Sequence, residues 1–439
     1  MNTPICDFVR QYAEKQTMRL HMPGHKGQSY LGPEPYDITE IDGADSLYEA
    51  NGIIAESEQN ASRLFGCKTL YSTEGSSQCI RAMVYLAMLH GKQRGKRPVI
   101  AAGRNAHKTF LSAAALMDAE VVWLVSENGG SYLSCKPGLE QIERVLRDEA
   151  PVAVYVTSPD YLGQQCDIAA LAELCHRYDV LLLVDNAHGA YLRFLPESLH
   201  PMDLGADLSC DSAHKTFPVL TGGAYLHMRD TFEPYAKNAM ALFGSTSPSY
   251  VILQSLDQAN VYLCTYAEKL AVFLPMLQQM KEQLTAHGYV LREEEPLKLT
   301  IDASAYGYDG RAYAAMLREQ NIFCEFSDFD HVVMMLTPEI GAKGLQKLEQ
   351  AMLSVERKSA VSSSPPEFQL QKKAISIRQA TMSPCETIPV EQSVGRVLAA
   401  ASVSCPPAVP IVVCGEIIDE AAVACFQYYG IKTVTVVAD

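Results

Sequence analysis

Short, wholly apolar runs separated by helical stretches are the feature that most narrows the fold of this chain. VLLLVD (180–185) and PVAVYVTSP (151–159) have no polar face, so a strand built from either must be covered on both sides. KTLYS (68–72), RPVIAAG (97–103), AEVVWLV (119–125) and GGAYLHM (222–228) extend the series. Helical patterns sit between them, QCIRAMVYLAMLHG after the first run and DIAALAELCHRYD (167–179) before VLLLVD. Apolar strands alternating with helices predict an α/β protein with a mostly parallel sheet covered by helices.

The rest of the chain divides by composition. Residues 1–60 are rich in turn signals, with PGHKG at 23–27 and LGPEPYD at 31–37, and read as an irregular N-terminal segment. A large domain is expected at 61–290, closing on a long helical pattern at 247–287. LKLTIDASA and IFCEFSDFDHVVMMLTP read as strands around the helix GRAYAAMLREQN, which makes 291–355 a small α+β domain. The Ser- and Pro-rich stretch at 356–369 reads as a linker, and 370–439 as a C-terminal domain ending in the strand-like TVTVVA.

Composition excludes several classes. A net charge of -15 opposes a nucleic-acid partner and mildly favours a cationic substrate. No apolar run reaches the roughly 18 residues of a membrane span, and the N-terminus lacks a basic-then-apolar signal, so a cytoplasmic location is expected. The 13 cysteines are scattered, mostly in apolar surroundings such as Cys175, Cys264, Cys324 and Cys425. They read as reduced thiols, and no Cys/His group has metal-ligand spacing.

Four segments place polar groups where apolar strands end, the side of an open sheet where ligands bind. In TEGSSQ (73–78), Gly75 allows a tight turn, and Ser76 and Ser77 sit where a helix N-terminus would favour a phosphate; a bare helix cap gives the same pattern. Asp185 ends a buried strand and needs a partner, for which a protonated aromatic ring nitrogen is suitable, with His188 three residues on; an aspartate capping the following turn gives the same pattern. In SCDSAHKTFPVLTGGA (209–224), Lys215 follows Ser212 and His214, and a lysine in an apolar setting suits amine chemistry and imine formation. In AAGRNAHKTF (101–110), His107 follows a strand and could stack on a flat ring.

At these residues the chain resembles the bacterial Orn/Lys/Arg decarboxylases, in the short form without an N-terminal response-regulator-like domain. LHMPGHKG (20–27), the block at 37–66, TSPDYLG (157–163), DNAHGA (185–190), DSAHKT (211–216) and STSPSY (245–250) are similar to the family's blocks in order. The resemblance implies the aspartate-aminotransferase-like fold and a pyridoxal 5'-phosphate cofactor. It makes Lys215 the Schiff-base lysine and Asp185 the partner of the ring nitrogen. It stacks His107 on the ring, sets His188 beside the cofactor, and gives the phosphate to Gly75, Ser76, Ser77, Ser212 and His214. It implies a homodimer, or a higher even-numbered oligomer, in which STSPSY reaches a neighbouring subunit's phosphate.

The implied reaction is decarboxylation of arginine, lysine or ornithine to an amine, a step of polyamine biosynthesis. Glu416 is the first candidate for the substrate's distal cation, and Glu325 and Asp328 the second. Four positions depart from the family pattern: Asn186, Gly222, Ala408 and Cys414. They leave substrate identity open and leave room for a non-catalytic homologue; another fold-type-I reaction, such as an aminotransferase or lyase using the same lysine and aspartate, is the other alternative.

Overall fold

The apolar runs form strands β1 (Lys68–Ser72), β2 (Val99–Gly103), β3 (Glu120–Leu124), β4 (Ala153–Thr157) and β5 (Leu181–Asp185) in the computed structural model. β6 (Leu208–Asp211) and β7 (Ala224–Met228) complete a seven-stranded, mostly parallel sheet. The structure describes residues 1–126, 132–292, 294–362, 366–400, 404–405 and 409–438. The chain groups into two compact units, Met1–Ala87 with Leu182–Leu270, and Met88–Leu181 with Ala271–Asp439. All three boundaries, at 87/88, 181/182 and 270/271, fall inside the large domain expected at 61–290, because sheet order does not follow chain order.

The first unit carries strands in the order β1-β7-β6-β5. β5 and β6 are parallel, with Asp185 opposite Cys210. β7 runs antiparallel to both β1 and β6. The connection from Asp211 to Ala224 holds only the short helix Ala213–Thr216, too little for the crossover that a parallel neighbour needs. β6 was not foreseen, since the serine and cysteine of LSCD interrupt the apolar signal. Helices Pro4–Glu14 and Ile53–Phe65 replace part of the irregular segment expected at 1–60. Pro4 opens the former, and Gly66 closes the latter in the left-handed region. The helical pattern at 247–287 is two helices, Tyr250–Leu263 and Tyr266–His287, whose apolar spacing runs through the break.

The second unit carries strands in the order β4-β2-β3, all parallel. Beyond them β8 (Val290–Arg292), β9 (Lys298–Asp302), β10 (Phe326–Ser327) and β11 (His331–Met335) form an antiparallel sheet in the order β10-β11-β9-β8. In the C-terminal region β12 (Cys385–Pro389) pairs with the final strand, and Ser404–Cys405 (β13) with Val409–Pro410 (β14). The final strand is β15 (Thr433–Val437). Leu398, Ile411, Phe426 and Val436 pack in one apolar cluster with Leu133 and Leu162. The described cysteines are free thiols, and Cys264 is exposed rather than set in an apolar site. Among the described residues no helix is long and apolar enough to cross a membrane.

A buried polar cluster follows β4. Asp160 is 2% exposed, and its Oδ1 accepts the backbone N–H groups of Leu162 (3.0 Å) and Gln164 (2.9 Å). Lys298 Nζ donates to the Asp160 carbonyl at 2.9 Å and pairs with Glu295 at 2.8 Å. Burial pushes the Asp160 carboxyl up to about 6 despite its hydrogen bonds to Ser134 and the backbone. The Ser134 hydroxyl has one hydrogen and two acceptors in contact, Asp160 Oδ2 and Gln164 Oε1. A protonated Asp160 resolves this by donating to the serine.

The raised value has a sign. Between the ordinary carboxyl value near 4 and about 6, the folded state binds the extra proton. Asp160 therefore costs stability as pH rises through that window, up to about 3 kcal/mol. Asp160→Asn keeps the Oδ1 acceptor and removes the titration. Denaturant unfolding at pH 4.5 and 7.5 is expected to show the variant gaining on the wild type at the higher pH. An equal pH response in both proteins would contradict the protonated state.

Candidate functional site

The first unit gathers most of the residues singled out by sequence. Asp185 is the last residue of β5 and is 3% exposed. Its Oδ1 accepts the Ala187 backbone N–H at 3.2 Å and faces the Cys210 thiol at 3.7 Å. The Asn186 N–H continues the ladder to the Cys210 carbonyl at 3.0 Å, which fixes the strand end against β6. Beyond β6 the chain turns into the helix Ala213–Thr216, and the Lys215 N–H donates to the Ser212 carbonyl at 3.0 Å. Lys215 Nζ donates to His188 Nε2 at 2.9 Å. The histidine thus accepts at Nε2 and carries its hydrogen on Nδ1.

The hydroxyl-lined turn lies in the same unit. Ser76 opens the helix Ser76–Gln93, and Ser77 follows it. Ser212 Oγ donates to Ser76 Oγ at 3.0 Å, so hydroxyls from two loops meet at that helix N-terminus. The Gly75 N–H donates to the Gly222 carbonyl at 2.7 Å. Gly222 has φ +102°, and a Cβ there would lie 2.8 Å from the Thr73 carbonyl oxygen. Close loop packing therefore leaves no room for a side chain at 222. His214 Nδ1 donates to the Gly223 carbonyl at 3.0 Å, which orients the ring. Backbone N–H of Ser245, in STSPSY, donates to the Glu74 carboxylate of the same chain.

An amine, a buried carboxylate and a hydroxyl-lined helix N-terminus fit a phosphorylated pyridine aldehyde. The amine suits the carbonyl, the carboxylate the ring nitrogen, and the helix N-terminus the phosphate.

His107, Glu416, Glu325 and Asp328 belong to the second unit. His107 caps the helix Lys108–Met117, and its Nδ1 accepts the Thr109 N–H at 3.2 Å. Glu416 is 4% exposed, and its Oε2 lies 3.3 Å from Arg104 Nη2 and accepts the Val413 N–H at 2.7 Å. Arg104 also donates to the carbonyls of Pro410 (2.7 Å) and Ile411 (3.0 Å), and its guanidinium lies over the rings of Trp123 and Phe368. Burial raises the Glu416 carboxyl, while Arg104 and the Val413 amide pull it down. Asp328 is buried, and its Oδ1 accepts the N–H groups of Asp330 (2.8 Å) and His331 (2.6 Å). Glu325 is exposed and accepts from the Tyr161 hydroxyl at 3.0 Å. Cys414 is buried and receives the Thr381 hydroxyl at 3.7 Å, while Ala408 lies outside the described residues.

Sequence reasoning missed Arg104 and the buried Asp211, His200 and His227. Asp211 carried a usable signal, since LSCD ends on an aspartate as LLLVD does. Arg104 carried none, because its acidic partner lies 312 residues away.

Comparison with known proteins gives a consistent picture. Residues 3–287 match the family model of the Orn/Lys/Arg decarboxylase major domain, and residues 356–434 that of the Orn/Lys/Arg decarboxylase C-terminal domain. The chain is 29% identical to an arginine decarboxylase of Bacillus subtilis, over 95% of this chain and 91% of that protein. It is likewise 29% identical to an arginine decarboxylase of Halalkalibacterium halodurans, over 96% and 92%. Among solved structures, a Francisella novicida lysine decarboxylase superposes with TM-score 0.81 at 16% identity, covering 99% of this chain and 81% of that one. The constitutive lysine decarboxylase of E. coli gives 0.79 at 17% identity, over 100% and 82%. At these identities the structural matches establish the fold.

The Arg104–Glu416 pair generates a test. Glu416→Gln leaves a buried guanidinium without its counter-charge, and the unfolding free energy is expected to fall by about 3 kcal/mol. Denaturant unfolding of the two proteins measures it. Wild-type stability in the variant would contradict a structural ion pair.

Proposed function

Since the chain belongs to the Orn/Lys/Arg decarboxylase family, we propose that Lys215, His188 and Asp185 form the reactive core of a pyridoxal-phosphate-dependent decarboxylase acting on a basic amino acid. One observation carries the reading: the Lys215 amine is hydrogen-bonded to His188 at 2.9 Å, three residues beyond a strand that ends on the buried Asp185. When bound, the cofactor supplies an electron sink for the pair left behind by the departing carboxylate.

The chain's own residues supply attachment, orientation and proton control. Lys215 offers the amine that anchors the cofactor and then holds a proton near the substrate's Cα. His188 accepts from that amine, which keeps it aimed and gives its proton a place to go. Asp185 holds a proton on the ring nitrogen, so the carboxylate is paired rather than buried alone. Ser76, Ser77, Ser212 and His214, with the turn at Gly75, hold the phosphate. The His214 ring, committed through Nδ1 to Gly223, contacts a phosphate through Nε2 only when doubly protonated. His107 offers a flat face whose tilt is set by Thr109.

Glu416 and Asp328 already have partners within their own chain and act as structural carboxylates. Of the three acidic candidates, the exposed Glu325 is the one that a substrate ammonium or guanidinium can reach. We take arginine as the preferred substrate, on the strength of the arginine decarboxylases among the relatives. We also propose a homodimer. The block around LHMPGHKG leaves Leu20 86% and Leu31 90% exposed, and a second copy would cover this apolar segment. Its place is the cytoplasm, and its product amine feeds polyamine synthesis.

The purified protein is expected to release CO2 and the matching amine from arginine, with lower kcat/KM for lysine and ornithine. Lys215→Ala is expected to lose this activity by at least about 10³-fold and to lose the visible absorbance of the lysine-bound cofactor. Amino transfer without CO2 release, or full activity in the variant, would overturn the assignment.

A further inference from the structure

β6 ends as β5 does, on a buried carboxylate. Asp211 is fully buried, and no step outlined above uses it. Its Oδ2 faces two imidazoles, His200 Nε2 at 3.1 Å and His227 Nε2 at 3.0 Å. Its Oδ1 accepts from Asn186 Nδ2 at 2.7 Å. All four side chains are sealed from solvent.

The partners fix the protonation. His200 Nδ1 accepts the Met202 N–H at 3.4 Å, so its hydrogen sits on Nε2 and points at Asp211. His227 Nδ1 lies 2.9 Å from Thr69 Oγ1. That hydroxyl also has the Cys67 carbonyl in reach at 3.2 Å. Facing an anion, however, His227 needs its hydrogen on Nε2, and the neutral ring then accepts from Thr69. Burial lowers His227, in keeping with a neutral ring. For Asp211 burial pushes the carboxyl up, but the two facing rings outweigh it and hold it below the usual range. The result is a buried anion saturated by three N–H donors.

Two histidines and an aspartate also resemble a metal set. A closed structural site takes four ligands, and here both rings share one oxygen at ordinary hydrogen-bond distances. The hydrogen-bonded reading accounts for the contacts of the Asp211 carboxylate.

We propose that Asp211 is a positioning residue for the cofactor, fixing Asp185 and Lys215 together from behind. The inference rests on the reading of those two residues given above. Asn186, held by Asp211, directly follows Asp185. Ser212, the next residue after Asp211, accepts the Lys215 N–H at 3.0 Å. One carboxylate thus sets both the strand end that presents the acid and the turn that presents the amine. The pair also fits an asparagine at 186: it donates to Asp211, where a carboxylate would set a second negative charge against it.

Exchanging the two groups tests this. Asn186→Asp sets like charges together and is expected to weaken cofactor binding by the apoenzyme roughly tenfold or more and to alter the visible circular dichroism of the bound cofactor. In the double variant Asn186→Asp/Asp211→Asn, residue 211 still accepts from both histidines and now donates to residue 186. Affinity and dichroism are expected to return to near wild type. Unchanged affinity and dichroism in Asn186→Asp, or a double variant no better than the single, would overturn the proposal. So would a fall in apoenzyme melting temperature with both cofactor signals intact. If Asn186→Asp gives no soluble protein, Asn186→Ala removes the donor without adding charge, and wild-type signals there are equally fatal. A wild-type protein with no visible cofactor band would instead remove the reading of Lys215 itself.

Discussion

An ionised carboxylate at the end of a buried strand is tolerated only if something nearby neutralises or solvates it. That constraint shapes the first unit of this protein. Asp185 sits at such an end, and the chain returns one strand later with Lys215, whose amine is held by His188. The parallel pairing of β5 with β6 brings the two segments side by side. The turn at Gly75 and Gly222 packs so closely that a side chain at 222 would strike the Thr73 carbonyl. Hydroxyls of Ser76 and Ser212 meet at the start of a helix. Each of these features is costly alone and coherent as a receptacle for an anionic aromatic aldehyde.

The same rule works a second time one strand away. Asp211 is the second buried carboxylate there. Its charge is spread over hydrogen bonds from His200, His227 and Asn186. A carboxylate so completely satisfied is rigid, and rigidity behind a site is what keeps reacting groups in register.

Much of the fold was legible because apolar strands flanked by helical patterns admit few arrangements. β1 to β5 and β7 fall within the runs VLLLVD, PVAVYVTSP and their neighbours. The direction of β7 was not legible, since strand composition does not encode it; the short connection after Asp211 does. β6 was hidden by its serine and cysteine. At the site, Lys215, Asp185 and Ser212 stood out because each sits at a strand end or just beyond one. The acidic residues were harder. Glu416 reads as a ligand for a substrate cation, and in the structure it is paired with Arg104, far away in the chain. A buried carboxylate announces that it needs a partner, but the sequence does not say whether that partner is a substrate or another side chain. Asp160 makes the same point: its partners are a serine hydroxyl and backbone amides of its own chain, and burial still pushes its carboxyl up to about 6.

The central claim is that the amine of residue 215 is the one that bonds the cofactor. Borohydride reduction of the holoenzyme, followed by digestion and peptide mass mapping, tests it most directly. The expected result is a single phosphopyridoxyl-modified peptide, with the added mass on Lys215. A modification on another lysine, or none on a protein that binds the cofactor, would contradict it.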